Sequence, residues 1–242
     1  MKRKYIIKCL SLLSFILTAF PLCTFSQTSI SSEELIGKGA PKLFGEGYHL
    51  REDAHLAFLK MKAAAKEEGI NIAIVSSYRS YSHQKRIRER KFKRFRSQGL
   101  SPENSIKKII EYSTIPGTSR HHWGTDIDLY DASMKHTRGI LQPKNYHGDG
   151  PFCKLKEWMD THAKTYGFYL VYTDNANRKG FKYEPWHYSY KALSYDYLKA
   201  YKTLDIIDIL RKDQLSGSEH FSKDFIKLYT DENILDINPE LL

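Results

Sequence analysis

Cysteine is almost missing from this chain of 242 residues: there are three, and two of them, Cys9 and Cys23, fall within the first 26 positions. With Cys153 alone in the remainder, no disulfide closes there and no zinc–thiolate cluster is available, so any metal site must be built from His, Asp and Glu. Several catalytic signatures are missing too. The helical His-Glu-x-x-His pattern does not occur, nor does a Gly-x-Ser-x-Gly nucleophile turn. Ser82-His83-Gln84-Lys85 and Ser105-Ile106-Lys107-Lys108 both spell Ser-x-x-Lys, but the Lys-Thr-Gly and Ser-Asp-Asn partners of that serine chemistry are absent. No internal repeat and no low-complexity linker divides the chain.

What is present begins with a leader. Lys2, Arg3, Lys4 and Lys8 precede an apolar run over 9–20, then Pro21 and a short polar stretch ending near Gln27. The run is too short to span a bilayer and reads as a secretory signal over 1–26, which predicts export to the periplasm or cell envelope. Leu22 before Cys23 does not suit a lipid anchor. Removing the leader lowers the net charge from +10 to about +6 and leaves the length of one ordinary domain. Much of that charge sits in Lys85, Arg86, Arg88, Arg90, Lys91, Lys93, Arg94 and Arg96, on one predicted helix. Such a face is solvated, or it meets an anionic cell-wall polymer or membrane surface. Nothing resembles a nucleic-acid recognition motif, and a monomer is expected.

Periodicity predicts helices over 51–68, 82–95, 102–112 and 151–166, the last ended by Gly167. It predicts strands over 71–75, 124–130, 168–172 and 181–190, the last interrupted by Pro185. In 124–130 the residues alternate, with Ile127 and Leu129 on one face and Asp126, Asp128 and Tyr130 on the other. A loop over 136–150 is placed to rim a cleft. Strands and helices mix without βαβ regularity, so the fold class is α+β: a small, mainly antiparallel sheet flanked by helices. Two further helical patterns, 196–211 and 218–229, and a tail over 234–242 form an appendix expected to pack on the same core.

The chemistry concentrates in two places. Ser119-Arg120-His121-His122-Trp123-Gly124-Thr125-Asp126-Ile127-Asp128 brings imidazoles and carboxylates together, and Tyr183-Glu184-Pro185-Trp186-His187-Tyr188 adds an imidazole with a Glu three residues earlier. Three N/O ligands, an open position and a carboxylate to move a proton are what a catalytic zinc ion requires. A turn at Gly124 could bring His121 and Asp128 to one ion. Spacing alone leaves the set open, because Asp126 shares a face with Asp128 and His122 adjoins His121. Cys153 has no motif around it and is expected to be a buried free thiol.

Ser-x-His-(x)6-Asp followed by Glu-Pro-Trp-His-Tyr, and preceded by Ser-Ser-Tyr-Arg-Ser-Tyr-(x)2-Gln, resembles the VanY-type D-alanyl-D-alanine carboxypeptidases, zinc metallopeptidases of bacterial cell walls that share a fold with the hedgehog signalling domain. The resemblance runs from about 72 to 190. It implies that His121, Asp128 and His187 bind zinc and that Glu184 is the general base for the zinc-bound water. By the same resemblance Arg79 holds the oxyanion or a substrate carboxylate, and Gln84 and Ser119 hydrogen-bond the peptide end. The implied enzyme removes the last D-Ala of a peptidoglycan stem from a catalytic domain over 27–190, followed by an extension over 191–242 on which the family is silent. Alternatives in the same fold are an L,D-carboxypeptidase, a peptidoglycan endopeptidase and a non-catalytic zinc-binding module; the presence of Glu184 argues against the module. Many family members have Ala where this chain has Asp126.

Overall fold

A computed structural model describes residues 30–135 and 139–242. The expected leader, 1–26, lies outside the described residues. Four strands, β1 (Ile72–Ser76), β2 (Asp126–Asp131), β3 (Phe168–Leu170) and β4 (His187–Tyr190), form one antiparallel sheet in the order β1-β2-β4-β3. Among the described residues eight α-helices surround it: α1 (Ser32–Leu35), α2 (Glu52–Glu67), α3 (Tyr81–Ser97), α4 (Pro102–Ile109), α5 (Cys153–His162), α6 (Lys191–Tyr201), α7 (Ile206–Lys212) and α8 (Lys223–Tyr229). This is the α+β architecture expected from the periodicity. Helix starts follow local chemistry, with the side chains of Ser31, Ser80, Ser101, Asp205 and Ser222 each accepting a hydrogen bond from the backbone N–H three residues on.

Strand alternation sets the two faces of the sheet. Ile127 and Leu129 of β2 and Tyr188 of β4 enter a core with Phe58 and Met61 of α2 and Leu155, Trp158 and Met159 of α5. Asp126, Asp128, His187 and Ser189 therefore share the opposite face, because successive side chains of a strand point to opposite sides. A second core joins Leu35, Ile106 and Trp123 to Tyr197, Tyr201, Leu210, Ile226 and Tyr229 of the last helices.

Some expected elements are cut short or divided. Of the strand over 181–190 only His187–Tyr190 forms. Pro185 follows Glu184 in a turn closed by the His187 N–H donating to the Glu184 carbonyl at 3.0 Å, a position for which the fixed φ of proline is suited. The single helix over 196–211 is two, α6 and α7, because the Asp205 side chain accepts from Asp208 N–H at 2.9 Å and starts a new helix. Gly167, at φ 79°, ends the helical stretch after α5 as the sequence suggests.

Candidate metal centre and active site

Register assembles the site. Across β2 and β4, Asp126 faces Ser189 and Asp128 faces His187, which places four polar side chains within cross-strand reach. On the other side β1 pairs with β2 but shifts register between Ile74 and Ser76, and just beyond that irregularity the Ser77 carbonyl turns toward the centre. A short 3-10 segment, Arg120–Trp123, brings in His121 and ends at Gly124, whose φ of 72° is left-handed and suited to glycine.

His121, Asp128 and His187 each offer a ligand atom, all within 4.8 Å of one another, and all three residues are buried. The Nδ1–H of His121 donates to the Ser77 carbonyl at 2.8 Å, while Nε2 is buried with no hydrogen-bond partner among the described residues. A buried lone pair without a partner costs free energy unless a ligand completes it. Two imidazoles and a carboxylate are a donor set that zinc accepts. The residues therefore fit the ion that the resemblance implies.

The two residues that spacing could not separate are occupied elsewhere. His122 donates from Nδ1 to the Arg79 carbonyl, and its Nε2 accepts from Gly117 N–H at 3.1 Å. Burial first, then the charges of Arg79 and His121, push its pKa from 6.5 down to about 3. In the unfolded chain the same imidazole protonates near 6.5, so between 6.5 and about 3 the unfolded state holds more protons and stability falls as pH falls. The expected slope from this group is at most about 1.4 kcal/mol per pH unit. Urea unfolding of wild type and His122→Gln at pH 7 and pH 5 checks it: the variant should lose distinctly less stability on acidification, and equal losses would refute the assignment. Asp126 is fully committed to hydrogen bonds, described below.

Glu184 lies beside the cluster, its Oε2 2.9 Å from His187 Nδ1, and burial raises its pKa above the usual carboxylate range. For His187 itself burial opposes protonation, but the hydrogen bonds to Asp126 and Glu184 win and push its pKa up to about 9. Glu184, Asp128 and His187 line a cleft of about 750 Å³, together with Arg79, Ser119 and, from the expected rim, Leu141, Gln142 and Lys144, while His121 packs behind that wall against His187. Arg79 Nη1 donates to Gln84 Oε1 at 2.8 Å, and Arg79 Nε is buried without a partner among the described residues. Gln84, fully buried, donates in turn to the Thr114 carbonyl at 2.9 Å. It thus aims Arg79 instead of lining the cleft. Ser119 Oγ, buried and without a partner among the described residues, is free to meet a ligand.

Sequence reasoning overlooked residues here. Lys91 lines the cleft, two helical turns beyond Gln84 on α3, a position that the 3.6-residue period could have revealed. Trp186 lines it too, as aromatics around Glu184 and His187 suggest, while also packing into a core as Trp123 and Tyr188 do. The cationic helix is not uniformly solvated. Arg88 is buried, stacked over Phe92 and Phe221 and paired with Glu89 at 2.7 Å, while Arg86, Arg90, Lys93 and Arg94 stay exposed. Cys153 is half-exposed and donates to Glu157, contrary to the buried thiol expected; as the first residue of α5 it sits at the surface.

The appendix braces the site from behind. Tyr201 OH donates to the Gly117 carbonyl at 2.9 Å, and Tyr229 OH accepts from Ile115 N–H at 3.0 Å, so the loop leading to Ser119 is held by the last helices. Each such bond contributes about 1 kcal/mol.

Residues 47–193 match the family model described as VanY: D-alanyl-D-alanine carboxypeptidase. This chain belongs to that family. It is 30% identical over 176 residues to YodJ of Bacillus subtilis, which covers 72% of this chain and 54% of YodJ. It is 26% identical over 128 residues to a D-alanyl-D-alanine carboxypeptidase of Enterococcus faecalis, covering 52% of this chain and 42% of the relative. The chain thus spans about half the length of these curated relatives. Among solved structures, VanYB in complex with D-alanine-D-alanine has a TM-score of 0.54 at 19% identity, covering 73% of this chain and 92% of that one. A mutant of a vancomycin-resistance D,D-pentapeptidase VanY, in complex with Zn(II), has a TM-score of 0.50 at 21% identity, covering 75% and 88%. These likenesses establish the fold. Beyond residue 193 the family match gives no account of the helices that brace the site.

Proposed function

We propose that this protein is an exported zinc carboxypeptidase that hydrolyses the terminal D-Ala-D-Ala bond of peptidoglycan stem peptides. The observation that carries the reading is the buried His121/Asp128/His187 cluster with Glu184 beside it, at a cleft lined by Asp128, His187, Glu184 and Arg79. Family membership and the leader expected over 1–26 support it. The catalytic unit is 27–190, and 191–242 serves as a brace packed on the same core. His121, Asp128 and His187 would hold zinc, which when bound polarises a carbonyl and makes water more acidic.

The remaining work falls to the chain's own groups. Glu184 accepts a proton from the attacking water as its oxygen bonds to the scissile carbonyl carbon, and returns that proton to the departing amine as the C–N bond breaks. Burial raises its pKa above the usual carboxylate range, which strengthens it as a base for the first transfer. Arg79, held by Gln84, binds the free terminal carboxylate or the developing oxyanion, and Ser119 donates to the peptide end. The exposed cations of α3 supply attraction to an anionic envelope surface, weakening as salt rises.

Mass spectrometry of products from defined tetrapeptide and pentapeptide stems tests the substrate. Release of one D-Ala from the pentapeptide supports the proposal, and release only from the tetrapeptide would assign L,D-carboxypeptidase activity. If Arg79 reads the terminal carboxylate, amidating that carboxylate should cost about as much as Arg79→Ala, and the two losses should not add. Equal cleavage of free and amidated stems would make the enzyme an endopeptidase.

A further inference from the structure

Asp126 has no role in the reaction just described, yet it is the most completely buried carboxylate of the centre, with no exposed surface. A buried carboxylate is tolerated only when charge and hydrogen bonds replace its water. Four groups do so here. Oδ1 accepts from Ser189 Oγ at 2.6 Å and from Thr125 Oγ1 at 2.8 Å. Oδ2 accepts from Arg120 Nε at 2.9 Å and from His187 Nε2 at 3.0 Å. Arg120 is itself buried: its Nη2 donates to Ser189 Oγ at 2.8 Å and its guanidinium lies 4.6 Å over the Trp123 ring. The sheet supplies this arrangement, because Asp126 stands opposite Ser189 and two pairs away from the Asp128–His187 pair, on the same face.

The contact with His187 is the consequential one. An ionised carboxylate only accepts hydrogen bonds, so the Nε2 that meets Asp126 must carry the hydrogen. That leaves Nδ1, the nitrogen that faces Glu184 at 2.9 Å, as the one able to donate a lone pair to a metal. Arg120 and Ser189 in turn fix the carboxylate, so the imidazole is held in both tautomer and orientation.

We propose that Asp126 is a positioning residue for the metal centre, holding His187 by its Nε2–H, and that Arg120 and Ser189 hold Asp126 in place for that contact. The inference rests on the zinc reading above. Carboxylate–imidazole partners of this kind are worth about 10- to 100-fold in metal affinity.

Zinc dissociation constants, measured on the metal-free full chain by competition with a fluorescent zinc chelator, test the proposal. Asp126→Asn keeps the shape and removes the charge, and should weaken zinc binding about 10-fold or more. A double variant, Asp126→Ala with Arg120→Met, removes the buried pair together and leaves no unpaired charge, so it covers the case in which the single variant fails to fold. It should show the same loss of affinity, while its urea midpoint without metal stays near wild type. Cobalt-substituted protein gives a spectroscopic readout: its visible bands should shift in both variants and stay unchanged in Thr125→Val, which leaves the His187 contact intact. Zinc affinity within twofold of wild type in the folded variants, with an unchanged cobalt spectrum, would reduce Asp126 to a structural partner of Arg120. Absence of zinc binding by wild type would instead sink the metal reading itself.

Discussion

Replacing His121 with alanine should strip the protein of zinc and leave turnover at background. The imidazole is one of three candidate ligands, and its Nδ1 bond to the Ser77 carbonyl turns Nε2 toward Asp128, 3.5 Å away. Zinc binding of this kind is worth on the order of 10 kcal/mol, so losing a third of the protein donors removes affinity that no neighbouring group restores. His122 cannot substitute, since both its nitrogens are engaged. Asp128→Ala and His187→Ala should behave alike. Elemental analysis after dialysis against micromolar zinc measures the outcome: wild type holds about one equivalent and each variant holds close to none. Full occupancy in His187→Ala would overturn the ligand set. Asp126→Ala losing zinc at saturation while Asp128→Ala keeps it would show that the other carboxylate is the ligand.

Glu184→Gln separates chemistry from binding. The side chain belongs to the cleft wall and contacts His187, but it is not one of the three clustered donors. Zinc content should therefore match wild type, and kcat should fall about 10²-fold or more with KM little changed, the pattern of a group that acts in the transition state. The sign of the pH effect follows from burial, which raises the Glu184 pKa above 4.5. The ionised form is the base, so the wild-type rate falls as acid protonates it, at a pH higher than for an ordinary glutamate, and that limb should vanish in the glutamine variant. Stopped-flow release of D-Ala across pH 5 to 8 checks both points. Near-normal turnover in Glu184→Gln would leave the proposed reaction without its base.

Much of the site was legible from residues 119–128 and 183–188, because a strand's two-residue period and a proline turn are local properties. Ile127 and Leu129 marked the buried face of β2, which put Asp126 and Asp128 together on the other. The Glu-Pro-Trp-His turn announced itself through Pro185, although the same proline removed the strand expected on its N-terminal side. Arg88 looked like its cationic neighbours and turned out to be buried, since Phe221 from the distant C-terminal segment joins Phe92 of its own helix as an aromatic wall.

The sequence by itself determined the α+β class, the family motif and the inventory of possible ligands, since these depend on residue type and short-range spacing. Only the tertiary structure brought three of the candidate ligands together. His121 and His122 are chemically alike, and they part company because the Ser77 carbonyl occupies one nitrogen of the first while Arg79 and Gly117 occupy both nitrogens of the second. Asp126 and Asp128 share a strand face, and they part because Arg120 and Ser189 reach only the former. Each choice is made by hydrogen-bond partners brought from elsewhere in the chain, a long-range saturation of donors and acceptors that spacing along one segment does not encode.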